Sequence, residues 1–153
     1  MRFRIEYIGE GDEQEIILRC FRMDENIRKQ CTAIENLLDE RPTIVYYKGD
    51  REFYLPSREV LFFETGGNET VYANTSKDVF KVNHRLYQLE NLLPPEFMRV
   101  SKSTIVNTVR ILSLTRNLSA TTAQFIGSHK EVHVSRHYFK ALKEQLSQRR
   151  LSS

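Results

Sequence analysis

No apolar run in this chain approaches the roughly 20 residues that a membrane span needs. The opening Met-Arg-Phe-Arg-Ile-Glu also lacks the continuous hydrophobic stretch of a signal peptide, so a cytoplasmic protein is expected. Cysteine is scarce. Cys20 and Cys31 stand apart, with no C-x-x-C and no close histidine, which points away from a zinc site or disulfide framework and towards two reduced, partly buried residues. Gly-rich phosphate loops, G-x-S-x-G and any defensible nucleophile-base spacing are missing, and Ser101 beside Lys102 and Ser103 matches a Ser-Lys pair only superficially. His129, His133 and His137 recur every fourth residue, as metal ligands on a helix would. However, Glu131-Val-His-Val alternates as a strand and the helical pattern starts only near Ser135, so the three cannot share one helical face. Enzymatic activity, a metal and a cofactor are therefore not expected.

What is present suits a single globular domain with a small addition: 153 residues, 40% of them hydrophobic. The net charge of +3 is unevenly spread. Residues 1–40 hold six Lys/Arg and ten Asp/Glu, net −4; residues 41–96 hold seven and eight, net −1; residues 97–153 hold ten and two, net +8. Positive charge gathered in the last third is expected of a chain that binds nucleic acid or another anionic surface.

Along the chain, residues 2–8 place Phe3, Ile5 and Tyr7 on one side of a half-buried strand. Gly9 to Asp12 signals a turn, and Gln14 to Cys20 reads as a second strand, with a short helix as the other option. Asp24 suits an N-cap for a helix carrying Ile27, Cys31, Ile34, Leu37 and Leu38 up to Asp39 and Pro42. Residues 1–42 thus form a small β-β-α unit, which either covers a sheet end, helps dimerise or docks a regulatory protein. A phosphoacceptor receiver needs roughly 120 residues of alternating β and α, so a switch by phosphorylation of the chain's own receiver is not expected.

From Thr43 short strands alternate with turns: Thr43–Lys48, Arg51–Leu55, Val60–Thr65, Thr70–Asn74, Val79–Asn83, Phe97–Val100, Thr104–Asn107, Val109–Leu114, Thr122–Ile126 and Glu131–Val134. His84–Leu93 interrupts them as a helix stopped by Pro94-Pro95, and Ser135 can cap a final helix from Arg136 to about Ser147, followed by a basic tail, residues 148–153. The fold class is mainly β, antiparallel, with one inserted and one C-terminal helix.

The stretch Arg99-Val-Ser-Lys-Ser-Thr-Ile-Val-Asn107 joins a cationic polar loop directly to a short β-branched strand. Arg99, Ser101, Lys102 and Ser103 offer donors to phosphates and base edges, while Thr104, Ile105 and Val106 would fix the loop to a sheet. This stretch resembles the signature of the LytTR DNA-binding domain, found in bacterial transcription regulators that read DNA with loops rather than a recognition helix. The resemblance starts near Arg58-Glu-Val-Leu-Phe-Phe-Glu64 and passes through His84–Leu93 with Pro94-Pro95-Glu96-Phe97. It continues through Met98–Asn107 and closes with Val132-His-Val-Ser-Arg-His-Tyr-Phe-Lys-Ala-Leu142, covering residues 43–147 in the family's order.

The resemblance implies an elongated antiparallel β domain whose loops enter successive major grooves on one face of a bent duplex. Three loops then matter: Gly66–Glu69, Arg99–Ser103 and Val134–Tyr138. In the first, Asn68 can pair with adenine, whereas Glu69 would repel phosphate unless it faces away or reads a cytosine amino group. In the second, Lys102 stands where the family reaches a base edge, with Arg99 and Ser101 as phosphate or sugar contacts and Ser101 where the family often has His. In the third, Ser135, Arg136 and His137 open a helix whose N-terminus favours phosphate, and His137 replaces the family's usual Arg. The implied partners are double-stranded promoter DNA with direct repeats, a second copy on that DNA, and a regulatory protein docked on residues 1–42. The competing expectation is a β-rich module that binds a protein, or a partner in a membrane, and no DNA. Single-stranded RNA would call for exposed aromatics among Lys/Arg, and Tyr46, Tyr47, Phe53 and Tyr54 read better as core and interface residues.

Overall fold

Two regions of different character make up the structure, a computed structural model that describes residues 2–38 and 44–151. The chain divides into two compact units, residues 1–40 and 41–153.

In the first unit the two expected strands do not form. Residues 2–23 hold a single isolated bridge between Glu10 and Asp12, at a turn where Gly9 N–H donates to the Asp12 carboxylate at 3.0 Å. The reason is visible in the side chains: Phe3, Ile5, Tyr7, Ile16 and Ile17 are all exposed, and a lone hairpin with no apolar layer beneath it is marginal in water. The helix does form, as α1 (Glu25–Leu38). Asp24 caps it through a 2.9 Å bond accepted from Ile27 N–H, and Ile27, Cys31 and Ile34 are half-buried at helical spacing. Cys20 is exposed rather than partly buried, and Cys31 is half-buried. The expected helix end at Asp39 and Pro42, and Thr43 at the start of the first strand, lie outside the described residues.

The second unit carries two antiparallel sheets. The larger contains β1 (Tyr46–Lys48), β2 (Arg51–Phe53), β3 (Phe62–Thr65), β4 (Val71–Asn74), β5 (Val79–Val82), β6 (Phe97–Ser101) and β7 (Thr104–Asn107), in the order β2-β1-β5-β4-β3-β7-β6. The smaller holds β8 (Ile111–Arg116), β9 (Thr121–Phe125) and β10 (Glu131–Val134), in the order β10-β9-β8. Helix α2 (Leu86–Leu92) is inserted between β5 and β6, and α3 (Arg136–Leu151) follows β10.

The pairing of β3 with β7 explains why these two stretches are apolar without alternation. Phe63 lies opposite Ile105 and Phe62 opposite Val106, so successive residues point to opposite faces, and both faces are covered. Phe63 and Ile105 belong to one core with Tyr46, Val71, Phe80 and the α2 leucines Leu86 and Leu89. Phe62 and Val106 belong to another with Ala123, Phe125, Val132, Val134 and Leu142 of α3. Phe62 stacks on Phe125 with ring centroids 5.4 Å apart, which ties the two sheets together.

Helix α2 ends where expected. Leu93 is extended, the conformation a following proline demands, and its N–H still closes on Leu89 O at 2.9 Å. Val109 was expected to open a strand, but Thr108–Arg110 is a 3-10 turn and β8 starts at Ile111. Glu96 O accepts both the Thr108 N–H (2.9 Å) and the Thr108 hydroxyl (2.7 Å), which holds this corner out of the ladder. Helix α3 continues past Ser147 to Leu151, since Gln148, Arg149 and Arg150 are good helix formers.

At the turn between β9 and β10, Lys130 is half-buried and donates to Thr75 O (2.8 Å), Asp78 O (3.1 Å) and Asn74 Oδ1 (3.4 Å). It thereby ties the smaller sheet to the β4–β5 turn. Its burial lowers the ammonium pKa, with the Asp78 carboxylate opposing that shift.

Candidate nucleic-acid interface

Because β3 and β7 run antiparallel, the turn that leaves β3 and the turn that enters β7 emerge at the same end of the larger sheet. A bond from Thr65 N–H to Ser103 O, 2.9 Å, joins them directly. The start of α3 is brought to the same end by Ser135 N–H, which donates to Val100 O at 2.8 Å. The three loops singled out by sequence, far apart along the chain, are thus linked by two backbone hydrogen bonds.

In the first loop Asn68 is exposed at the tip. Gly66 has a steric reason to be glycine: a Cβ there would lie 2.7 Å from Cε2 of the Tyr72 ring. Glu69 takes a left-handed conformation, φ 59°, and its carboxylate accepts from Arg85 Nη1 at 2.7 Å. That pairing neutralises the acid which would otherwise oppose an anionic ligand.

In the second loop Lys102 and Ser103 are exposed at the β6–β7 turn, and Ser101 is half-buried. Ser101 Oγ accepts from Ser103 N–H at 3.2 Å, which stiffens the turn. Arg99 is not the free cation expected from sequence. Its Nε stands 2.8 Å from the Glu90 carboxylate of α2, its Nη1 donates to Lys102 O at 3.3 Å, and its side chain is only 20% exposed. It braces the turn that presents Lys102.

At the third loop Arg136 and His137 are exposed. The imidazole of His137 meets the Tyr138 ring edge-on, centroids 4.7 Å apart. The expected side-chain cap is not made: Ser135 Oγ is buried with no hydrogen-bond partner, and the Tyr138 N–H closes on Ser135 O instead, at 3.1 Å. Ser135 anchors the helix start through its backbone.

A groove of about 790 Å³ runs between the second and third loops. Ser101, Lys102, Ser103, Ser135 and His137 line it, so most of the expected residues meet in one concavity. Asn68, Arg99 and Arg136 are not among its lining residues. Sequence reasoning missed Glu64, Glu131, His133 and Tyr138, which also line it. The alternation Glu131-Val-His-Val was a signal for two of them: with Val132 and Val134 buried, Glu131 and His133 must face outward. Among the described residues no group of three His, Cys, Asp or Glu could hold a metal ion, and no helix is long and apolar enough to cross a membrane.

Comparison with known protein families matches residues 50–147 to the LytTr DNA-binding domain. The chain belongs to this family. It is 35% identical over 136 residues to a protein named as an HTH-type transcriptional regulator from Staphylococcus aureus (strain NCTC 8325 / PS 47), covering 88% of this chain and 90% of that one. A similarly named protein from S. aureus strain MSSA476 is 34% identical over 148 residues, 96% of this chain and 99% of the other. Among solved structures, a LytTr DNA-binding domain from Bacillus cereus shares the fold, with a TM-score of 0.62 and 22% identity over 69% of this chain and 97% of that domain.

The relatives' names mention a helix-turn-helix, which needs two helices joined by a turn of about three or four residues. Among the described residues of this LytTR chain no two helices are so joined, since strands separate α1, α2 and α3. The family is one of DNA-binding domains and not of enzymes.

Proposed function

We propose that the chain is a transcription regulator, acting in the cytoplasm, that binds duplex DNA sequence-specifically by placing its loops in major grooves. Lys102, Asn68, Arg136 and His137 read or grip the duplex; Ser101 and Ser103 add sugar or phosphate contacts, and Arg99 and Ser135 hold the loops in place. The observation that carries this reading is the convergence of three loops at one sheet end, fixed by the Thr65–Ser103 and Ser135–Val100 bonds. A frame of this kind means that little loop order is lost on binding, so more of the contact energy appears as affinity. The excess of positive charge in residues 97–153 supplies the sequence-independent attraction.

Family membership supports DNA as the ligand. Two protomers on a direct repeat is the arrangement proposed for the bound state. Gel-shift titration against genomic fragments over a range of salt tests the reading. Wild type should bind with affinity that falls steeply as salt rises, because several phosphates are neutralised. A Lys102→Ala/Arg136→Ala double variant should lose that binding. A chain that shifts no fragment at physiological salt is the protein-binding module instead, a role favoured for residues 2–38 by their exposed Phe3, Tyr7 and Phe21.

A further inference from the structure

The groove beside Lys102 is not uniformly cationic. Glu64 and Glu131 line it together with Lys102 and His137. Phosphate oxygens only accept hydrogen bonds and carry negative charge, so a groove containing two carboxylates is a poor phosphate slot. In the major groove of duplex DNA the donors are the amino groups of cytosine and adenine, and a carboxylate pairs with the cytosine N4 amino group.

One of the two carboxylates is held in place. Glu131 Oε1 accepts from Gln124 Nε2 at 2.6 Å, and Gln124 Oε1 accepts from Ser113 Oγ at 3.1 Å. The three residues sit opposite one another on β10, β9 and β8, as the pairings Glu131↔Gln124 and Ser113↔Gln124 require. This relay fixes the Glu131 carboxylate and leaves its second oxygen available to a donor. Glu131 is exposed, so a base edge can reach it. Glu64 has the same charge, but sits on the interior strand β3 of the larger sheet, away from that relay.

We infer that Glu131 is a specificity-determining residue that accepts a hydrogen bond from a cytosine amino group, with Gln124 as its positioning residue. The inference rests on the proposed reading that base edges reach the Lys102 groove. Glu131 then selects a C·G pair at the position it meets, and its charge disfavours a phosphate at that point.

The test is selection of bound sequences from a random duplex pool, using the full chain as wild type, Glu131→Gln, Glu131→Ala, Gln124→Ala and Glu64→Gln. Thermal melting of each variant verifies that the fold is retained. Wild type should enrich a site with one cytosine that Glu131→Gln and Glu131→Ala no longer require, discrimination at that position falling about tenfold or more. Gln124→Ala should weaken the same preference partially and at no other position. Glu64→Gln should leave it in place while tightening binding to all duplexes, because it removes a repulsive charge. If both Glu131 variants enrich the wild-type sequence and merely bind every duplex more tightly, the carboxylate is repulsive only and the inference fails. A wild-type protein that enriches no sequence while still binding duplex overturns the underlying reading along with it.

Discussion

Phe3 and Phe125 both sit in alternating stretches that look like strands, yet Phe3 is 91% exposed while Phe125 is fully buried. The difference lies in what surrounds each. Phe125 ends a strand with ladder partners on both sides, β8 and β10, and stacks on Phe62 of the other sheet. Phe3 has neither a paired strand nor a buried layer of its own unit. Alternation prepares a segment to be a strand, but cross-strand neighbours and a covered face make it one. The two units also differ in charge, residues 1–40 carrying −4 and residues 41–153 carrying +7, so the second unit is the one equipped to meet DNA.

The contrast can be broken most forcefully in the core. Phe125→Ala should cost about 3 to 5 kcal/mol and Leu142→Ala about 2 to 5, whereas Phe3→Ala should stay within about 0.5 kcal/mol, as measured by urea unfolding. A comparable loss at Phe3 would mean that it is packed in solution.

A somewhat smaller effect is expected from alkali. Burial raises the Tyr46 hydroxyl from 10.0 to about 12, so the folded state resists its ionisation. A raised folded value gives stability that is complete below pH 10 and is lost as pH climbs through about 12. The difference corresponds to roughly 3 kcal/mol. Tyr46→Phe should remove this component, which unfolding curves of both proteins across that pH range would reveal. Identical pH dependence in the two would contradict it.

Polar links sharpen the comparison further. Lys130→Met removes three bonds between the sheets and should destabilise the second unit by about 2 kcal/mol. Arg4→Ala breaks an exposed Arg4–Glu6 pair in the first unit and should change nothing measurable in the same urea titration. A large effect at Arg4 would show that the N-terminal unit is more tightly organised than its exposure indicates.

Much of the second unit could be read from sequence because its signals are local. Val60–Phe63 and Thr104–Val106 are apolar or β-branched throughout, as strands buried on both faces must be, and Pro94-Pro95 stops α2. The alternation in residues 2–20 looks like strands, but nothing in it reveals whether a partner layer exists. The role of Arg99 was hidden for a similar reason: its counter-charge, Glu90, lies on a different element. Ser101, Lys102 and Ser103 were legible as donors leading into a β-branched strand, the resemblance added His137, and the four share one groove. Glu64 joins them only through the pairing of β3 with β7, which no spacing in the chain shows.

The most direct measurement compares wild type and Lys102→Ala on a selected duplex and on random duplex under identical salt. The β6–β7 turn should cost roughly 1 to 3 kcal/mol on the selected site when Lys102 is lost, and much less on random DNA. Equal losses on the two would make Lys102 a phosphate contact and contradict base reading by this turn.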